Sequence, residues 1–156
     1  MPLEIERKFL VKSDTWRQFV VRSERLRDGL VAASDGRKVR VRLYEHRATL
    51  TVKSQQERGQ RAEFEYEIPR DHAEEMLGAH CGDNIIVKTR HYIPAEGLQW
   101  EVDVYEGRLQ GIVLAEVELG RVDQSLSLPE WVGEEVTGRP EFRKMELLKA
   151  RRASSA

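Results

Sequence analysis

The sequence predicts an α+β, mainly β fold: a closed antiparallel barrel of about eight strands with a charged lumen and a few flanking helices. Three observations support this fold class. Short segments that alternate between polar and apolar residues are separated by Gly and Pro, as in antiparallel sheets. Charged residues make up 34% of the 156 residues, yet the net charge is only −1. Within single segments, the charges fall into clusters of one sign.

The alternating segments predict eight strands in chain order. Residues two positions apart in a strand share a face, so each segment separates a polar face from an apolar one. The predicted strands are residues 3–11, 25–32, 38–44, 48–53, 61–68, 85–93, 98–105 and 112–119. Three hairpin turns are predicted between them, at Ser34-Asp35-Gly36, Glu45-His46-Arg47 and Ala95-Glu96-Gly97.

Three short helices are predicted outside the strands. The first begins at Ser13 or Asp14, either of which is a suitable N-cap residue, and ends near residue 20. The second spans residues 71–80, and the third spans 141–151, where apolar side chains recur at helical spacing.

The length predicts one domain over residues 1–150 and a flexible tail over 151–156. The single Cys81 excludes an internal disulfide and indicates a reducing, cytoplasmic environment. No apolar run reaches the roughly 20 residues of a membrane helix, and the balanced charge disfavours a nucleic-acid partner. The sequence leaves a homodimer open.

Several strand faces carry clusters of one charge sign, and the basic and acidic clusters form separate sets. The basic clusters are Lys38/Arg40/Arg42 and Lys88/Arg90, and the acidic clusters are Glu4/Glu6, Glu63/Glu65, Glu101/Asp103 and Glu116/Glu118. For any one strand, the ordinary interpretation is a solvated outer face. Taken together, however, like charges on neighbouring strands repel each other. Cations bound by the acidic set and an anion bound by the basic set would relieve both repulsions.

A barrel with these charged faces turned inward accounts for the pattern. Interior and exterior residues alternate along every barrel strand. A dry interior filled with charge is very costly, so the lumen must be a wet, ion-filled binding cavity. The apolar exterior then needs a cover, which the three helices or a second subunit would provide.

Several segments resemble one known family. The segments are Glu4-Ile5-Glu6-Arg7-Lys8, Val39-Arg40-Val41-Arg42, Leu50-Thr51-Val52-Lys53, Arg61-Ala62-Glu63-Phe64-Glu65, Lys88-Thr89-Arg90, Trp100-Glu101-Val102-Asp103 and Ala115-Glu116-Val117-Glu118. In this order they are similar to the motifs of the CYTH domain, also called the triphosphate tunnel metalloenzyme superfamily, and the resemblance extends from residue 4 to about 150.

Two positions depart from the family pattern. Many bacterial members have a Gly-Tyr-Leu step, whereas Gly29 is followed here by Leu30. The family often has Asn shortly after an aromatic near the C-terminus, whereas Phe142 is followed here by Arg143 and Lys144.

The resemblance implies metal-dependent hydrolysis of a small-molecule triphosphate in the lumen. The implied metal ligands are Glu4, Glu6, Glu63, Glu65, Asp103, Glu116 and Glu118. The implied substrate-binding residues are Lys8, Arg40, Arg42, Lys53, Arg61, Lys88 and Arg90. Carboxylate oxygens suit Mg²⁺ or Mn²⁺, and the sequence has no His/Cys cluster suited to zinc. The two sets are equal in number, so the metal ions would supply the positive charge that balances the substrate.

The implied mechanism is attack of metal-activated water on the terminal phosphorus, without a covalent enzyme intermediate. Lys8, Lys88 and Glu65 are the predicted catalytic residues: the lysines would contact bridging or terminal oxygens, and Glu65 would hold a second ion or orient water. Inorganic triphosphate is the first substrate hypothesis. The alternatives are a thiamine or nucleoside triphosphatase, a class IV-type adenylate cyclase and a non-catalytic polyphosphate-binding module. Trp16, Trp100 and Trp131 are predicted to pack on the outer wall, and Cys81 has no predicted chemical role.

Overall fold

The computed structural model describes residues 3–154, which form nine strands, two α-helices and three short 3-10 helices. The strands are β1 (Leu3–Val11), β2 (Arg22–Ser34), β3 (Arg37–Leu43), β4 (Ala48–Lys53), β5 (Gln60–Ile68), β6 (Ile85–Ala95), β7 (Leu98–Tyr105), β8 (Val113–Glu118) and β9 (Val132–Glu135). The α-helices are α1 (Arg70–Ala79) and α2 (Lys144–Ser154), and the 3-10 helices are Thr15–Phe19, Gly107–Leu109 and Pro140–Phe142.

The first eight strands close into an antiparallel barrel, which confirms the predicted fold class. Neighbouring strands follow the order β5-β4-β3-β2-β6-β7-β8-β1, and β1 then pairs with β5 to complete the ring. This closing pair joins Leu3 to Ala62 and Glu4 to Arg61. The C-terminal half of β1 pairs with β9 instead. The sequence analysis missed β9, because its four residues show little alternation.

The three predicted hairpin turns are all present. Asp35 and Gly36 have φ angles of 52° and 77°, and Glu96 and Gly97 have φ angles of 53° and 76°. Two successive left-handed residues match the right-handed twist of the flanking strands. In the third turn, the Tyr44 amide donates a 2.8 Å hydrogen bond to the Arg47 carbonyl.

The first and third helices differ from their predicted forms. The first is the 3-10 helix Thr15–Phe19. The third was predicted to begin at residue 141, which is wrong: Arg143 is extended, with ψ at 138°, so it separates the 3-10 helix Pro140–Phe142 from α2. Helix α2 then continues to Ser154, so the predicted boundary at residue 150 falls inside it. Residues 155 and 156 of the predicted tail lie outside the described part of the chain.

Two apolar clusters cover the outer wall. Ala73 and Leu77 of α1 pack against Val41, Leu43 and Ala48 on the outer faces of β3 and β4. The second cluster lies over β1, β7 and β8, where edge-to-face contacts join Trp100 to Phe9 (5.5 Å between ring centroids) and to Trp131 (5.6 Å). Trp16 packs in the same cluster, so the predicted packing role of the three tryptophans is confirmed.

Helix α2 closes one end of the barrel, although it was predicted to cover the outer wall. Its Leu148, which is 1% exposed, packs with Ile86, Tyr105 and Leu114. These three residues lie on lumen-facing positions, because Tyr105 is opposite Lys88 in the β6–β7 register and the others follow the same alternation. We call this apolar layer the closed end of the lumen.

No helix in residues 3–154 is long and apolar enough to cross a bilayer.

Candidate active site

The barrel encloses a cavity of about 400 Å³. Among the described residues, ten cationic side chains and eight carboxylates line it. The cationic residues are Lys8, Lys38, Arg40, Arg42, Lys53, Arg61, Arg90, Arg139, Arg143 and Lys144, and the acidic residues are Glu4, Glu6, Asp28, Glu63, Glu65, Glu101, Glu116 and Glu118. The lumen therefore carries more positive than negative groups when no ligand is bound.

The barrel brings the predicted site residues together. All of them line the cavity except Lys88 and Asp103, which lie beneath its floor with 0% and 1% of their side chains exposed. The sequence analysis did not single out Asp28, Arg143 or Lys144 as site residues. Asp28 precedes Gly29 and Leu30 in an otherwise unremarkable strand, and only the β2–β3 register places it opposite Arg42.

The floor of the cavity is a buried network of two carboxylates and three cations. Arg42 donates two hydrogen bonds to Asp28, with Nε–Oδ1 and Nη2–Oδ2 distances of 2.5 and 2.9 Å. Arg90 binds both oxygens of Asp103 in the same way, at 2.8 and 2.9 Å. Bidentate pairs of this kind fix both position and orientation.

Lys88 joins the two halves of this network. Its Nζ atom lies 2.8 Å from Asp103 Oδ2 and 3.5 Å from Asp28 Oδ2. Among the described residues, however, this ammonium group makes ion pairs without a well-aligned hydrogen bond. Lys88 is therefore a fixed, desolvated cation held between two carboxylates.

The pKa values show that the floor carboxylates remain charged. Burial raises the pKa of Asp28, but Arg42 and Lys88 more than compensate and hold it well below the usual value. Burial likewise opposes ionisation of Asp103, and Arg90 and Lys88 again lower the pKa. Because their oxygens are already bound by cations, these two carboxylates anchor Arg42, Lys88 and Arg90 under the cavity.

In a second set of carboxylates, on β1 and β8, neighbouring cations do not offset the cost of burying a negative charge. Burial, Glu116 and Glu4 raise the pKa of Glu6 to about 8. Burial and then Glu4 raise the pKa of Glu118. Neither Glu6 nor Glu118 forms an ion pair with a described cation. Glu6 is consequently mostly protonated at neutral pH unless a cation binds beside it.

Lysine and arginine side chains of the lumen form ion pairs with neighbouring carboxylates. Lys53 Nζ lies 3.2 Å from both Glu4 Oε2 and Glu63 Oε2, and Arg61 Nε lies 3.2 Å from Glu4 Oε1. Glu65 accepts a 3.1 Å hydrogen bond from Thr51. Burial and Arg40 lower the pKa of Lys53 to about 8, so its charge is held weakly.

The donor set fits a hard divalent cation, although no cage is preformed. Across the described residues, no three Asp, Glu, His or Cys side chains converge tightly enough to hold a metal ion. The charged donors are carboxylate oxygens, which Mg²⁺ and Mn²⁺ prefer, and Ser54 and Thr137 add neutral hydroxyl oxygens to the lining. The raised pKa of Glu6 marks the place where added positive charge would be most stabilising.

The Cys81 thiol and the His91 imidazole make contacts outside the lumen lining. Cys81 is buried in the α1 cluster, where a Cβ atom on Gly29 would come within 2.5 Å of its Sγ atom. His91 Nδ1 lies 2.7 Å from Ser23 Oγ, and its ring packs against Trp16. Neither group is placed to attack a ligand in the cavity.

A closed antiparallel barrel with these charged inner walls defines a tunnel protein suited to a small polyanion and a metal ion. The family model for the CYTH domain matches residues 2–154, and the chain belongs to this family.

Relatives that are named for an enzymatic activity align with nearly the whole chain. An inorganic triphosphatase from Acetivibrio thermocellus is 37% identical over 149 residues, covering 96% of this chain and 95% of the relative. An inorganic triphosphatase from Nitrosomonas europaea is 35% identical over 150 residues, covering 92% and 95%. A solved structure of an inorganic triphosphatase is 30% identical, covers 93% of this chain and 97% of its own, and superposes with a TM-score of 0.67.

Proposed function

We propose that this protein hydrolyses inorganic triphosphate to pyrophosphate and phosphate, with a divalent metal ion, inside the barrel lumen. The single observation that carries the proposal is the enclosed cavity of about 400 Å³ with an excess of cations on its lining. The two relatives at 35% and 37% identity, both named inorganic triphosphatase, support the choice of substrate.

The cationic lining would bind the phosphate groups. Arg40 of β3 and Arg61 of β5 line the cavity, and Arg42 and Arg90 are held in fixed orientations by Asp28 and Asp103. Guanidinium groups bind phosphate through paired hydrogen bonds. Lys8 and Lys53 would add compact charges that balance the remaining phosphate oxygens.

The acidic wall would hold the metal. We assign Glu4, Glu6 and Glu118 as its principal ligands, and Glu63, Glu65 and Glu116 as residues that complete its surroundings or a second ion site. We propose Mg²⁺ or Mn²⁺ because the donors are carboxylates. Such an ion, when bound, neutralises phosphate charge and lowers the pKa of water. Asp103 is better placed to position Lys88 and Arg90, to which it is already bound.

The protein's own groups would then direct the reaction. Glu65 would accept a hydrogen bond from the attacking water and orient it toward the terminal phosphorus. Lys88, an ammonium group buried beneath the floor, would help to stabilise the charge that develops on the leaving pyrophosphate. We propose direct attack by water without a covalent intermediate, since the Cys81 thiol is buried in the α1 cluster, outside the cavity.

We infer a small-molecule substrate and no nucleic-acid partner, because the clustered strand cations face inward. We also propose a cytoplasmic location, supported by the single unpaired Cys81.

One assay tests the proposal against its alternatives. Phosphate release is measured with inorganic triphosphate, pyrophosphate, ATP and thiamine triphosphate, each with Mg²⁺, Mn²⁺ or EDTA. We expect fastest release from inorganic triphosphate and none in EDTA. Preference for ATP or thiamine triphosphate, formation of cyclic AMP, or binding of triphosphate without turnover would each overturn the substrate assignment.

A pair of variants locates the reaction. Glu6→Gln should abolish metal-dependent release, whereas Glu75→Gln, on the exposed face of α1, should leave it unchanged. Full activity of the Glu6 variant would remove Glu6 from the metal site.

A further inference from the structure

Helix α2 contributes a cation to the lumen that the barrel strands do not supply. Lys144 is the first residue of α2, and its side chain lines the cavity. Four residues later, Leu148 is anchored in the closed end of the lumen. The packing of Leu148 therefore fixes where the Lys144 side chain enters.

The carboxylates near Lys144 are already engaged by other cations. Its electrostatic neighbours are Lys88, Glu116, Asp28 and Arg42. Asp28 is bound bidentately by Arg42, and Glu116 lies 3.7 Å from the Lys8 ammonium group. Lys144 itself forms no ion pair with a described carboxylate.

The charge of Lys144 is consequently poorly compensated in the ligand-free barrel. Burial and the adjacent Lys88 charge hold its pKa well below the usual value for lysine. Lys144 is half-buried, and a partly desolvated cation beside other cations is costly unless an anion lies within reach.

We propose that Lys144 is a further substrate-binding residue, which donates from α2 to a phosphate group of the substrate bound near the closed end of the lumen. This inference deepens the proposed function and depends on it for the identity of the substrate. Lys144 would then bind the polyanion directly from the helix, and Lys88 would add positive charge from beneath the barrel floor.

The test compares Lys144→Met and Lys144→Arg with the control Lys149→Met. Lys149 lies on the same helix, 70% exposed and paired with Glu146. We expect the Met variant to raise the KM for inorganic triphosphate by about tenfold or more, the usual effect of losing a charged hydrogen bond. Its kcat should change less than about threefold, because the contact is made in both ground and transition states. The Arg variant should restore most of the affinity, and the Lys149 variant should match the wild type.

Two outcomes would overturn the inference: an unchanged KM in Lys144→Met, or a loss of affinity that Lys144→Arg does not restore. The second outcome would assign the loss to packing. Folding is checked by the Tm measured without substrate. We expect an equal or higher Tm for Lys144→Met, because the substitution removes an uncompensated charge.

The inference and the proposed function fail separately. A chain that does not hydrolyse inorganic triphosphate can be titrated with it directly. Weaker binding by Lys144→Met would then support the inference without the reaction, and equal binding would overturn it.

Discussion

The Glu6 carboxyl group links metal binding to pH. Its pKa of about 8 arises from burial and from the neighbouring Glu116 and Glu4. At pH 7 only about one Glu6 in ten is ionised. A divalent cation needs the ionised form, so binding must release close to one proton from this group at pH 7. Affinity should therefore rise about 50-fold between pH 6 and pH 8 from Glu6 alone, and level off above pH 8.

The assay is calorimetric titration with Mn²⁺ in two buffers that differ in ionisation enthalpy, for the wild type and Glu6→Gln. The variant should lose this proton release and bind Mn²⁺ more weakly at pH 8. Lys53, whose pKa is lowered to about 8 by burial and Arg40, titrates in both proteins. Because the Glu6 charge itself raises the Lys53 pKa, the difference between the two proteins measures Glu6 together with its effect on Lys53. Glu75→Gln serves as the carboxylate control. Equal proton release and parallel pH profiles in wild type and Glu6→Gln would refute this reasoning.

The same group makes the stability of the metal-free protein depend on pH in a defined direction. The folded state keeps the Glu6 proton to about pH 8, whereas the unfolded chain loses it near the ordinary glutamate pKa of 4.5. The folded state thus binds more protons across this interval, and the Glu6 contribution to stability decreases as pH rises from about 4.5 to 8. Thermal unfolding in EDTA should show this decrease in the wild type and a shallower one in Glu6→Gln.

Three further variants test the floor, the closed end and the outer wall. Lys88→Ala should lower kcat by about 10²–10³, the usual effect of removing one fixed donor to a developing negative charge; a kcat within threefold of wild type would place Lys88 outside the reaction. Leu148→Ala should lower the free energy of unfolding by about 2–5 kcal/mol, measured by urea denaturation, and an unchanged midpoint would mean that α2 contributes little to the closed end. Gly29→Ala should cost about 1–3 kcal/mol, because its new Cβ would meet Cys81 Sγ at 2.5 Å. Adding Cys81→Ala should recover part of that loss, and no recovery would point to another cause.

Strand faces could be predicted from the sequence because their signal is local. The alternation around Glu4, Arg42 and Glu116 depends only on the two-residue period of a β-strand. Like-charge clusters on these faces indicated a lumen, since no packed or solvated face explains so many of them together. The predicted cations and carboxylates accordingly converge on one cavity.

Register and long-range packing lay beyond local patterns. Asp28 acquires its role only because β2 and β3 align it with Arg42, and the positions of neighbouring strands are not encoded within either segment. One edge of β1 pairs first with β5 and then with β9, and this pairing likewise depends on strands far apart in the chain.

The amino-acid order by itself determined which side chains share a face and therefore which charges would be enclosed once the sheet closed. Tertiary structure alone decided how these charges are compensated: Asp28 and Asp103 are bound by arginines, whereas Glu6 and Lys144 lack an ion-pair partner among the described residues. The physical reason is that alternation is a property of the backbone of one strand, whereas compensation depends on distances between strands and on where α2 enters the barrel.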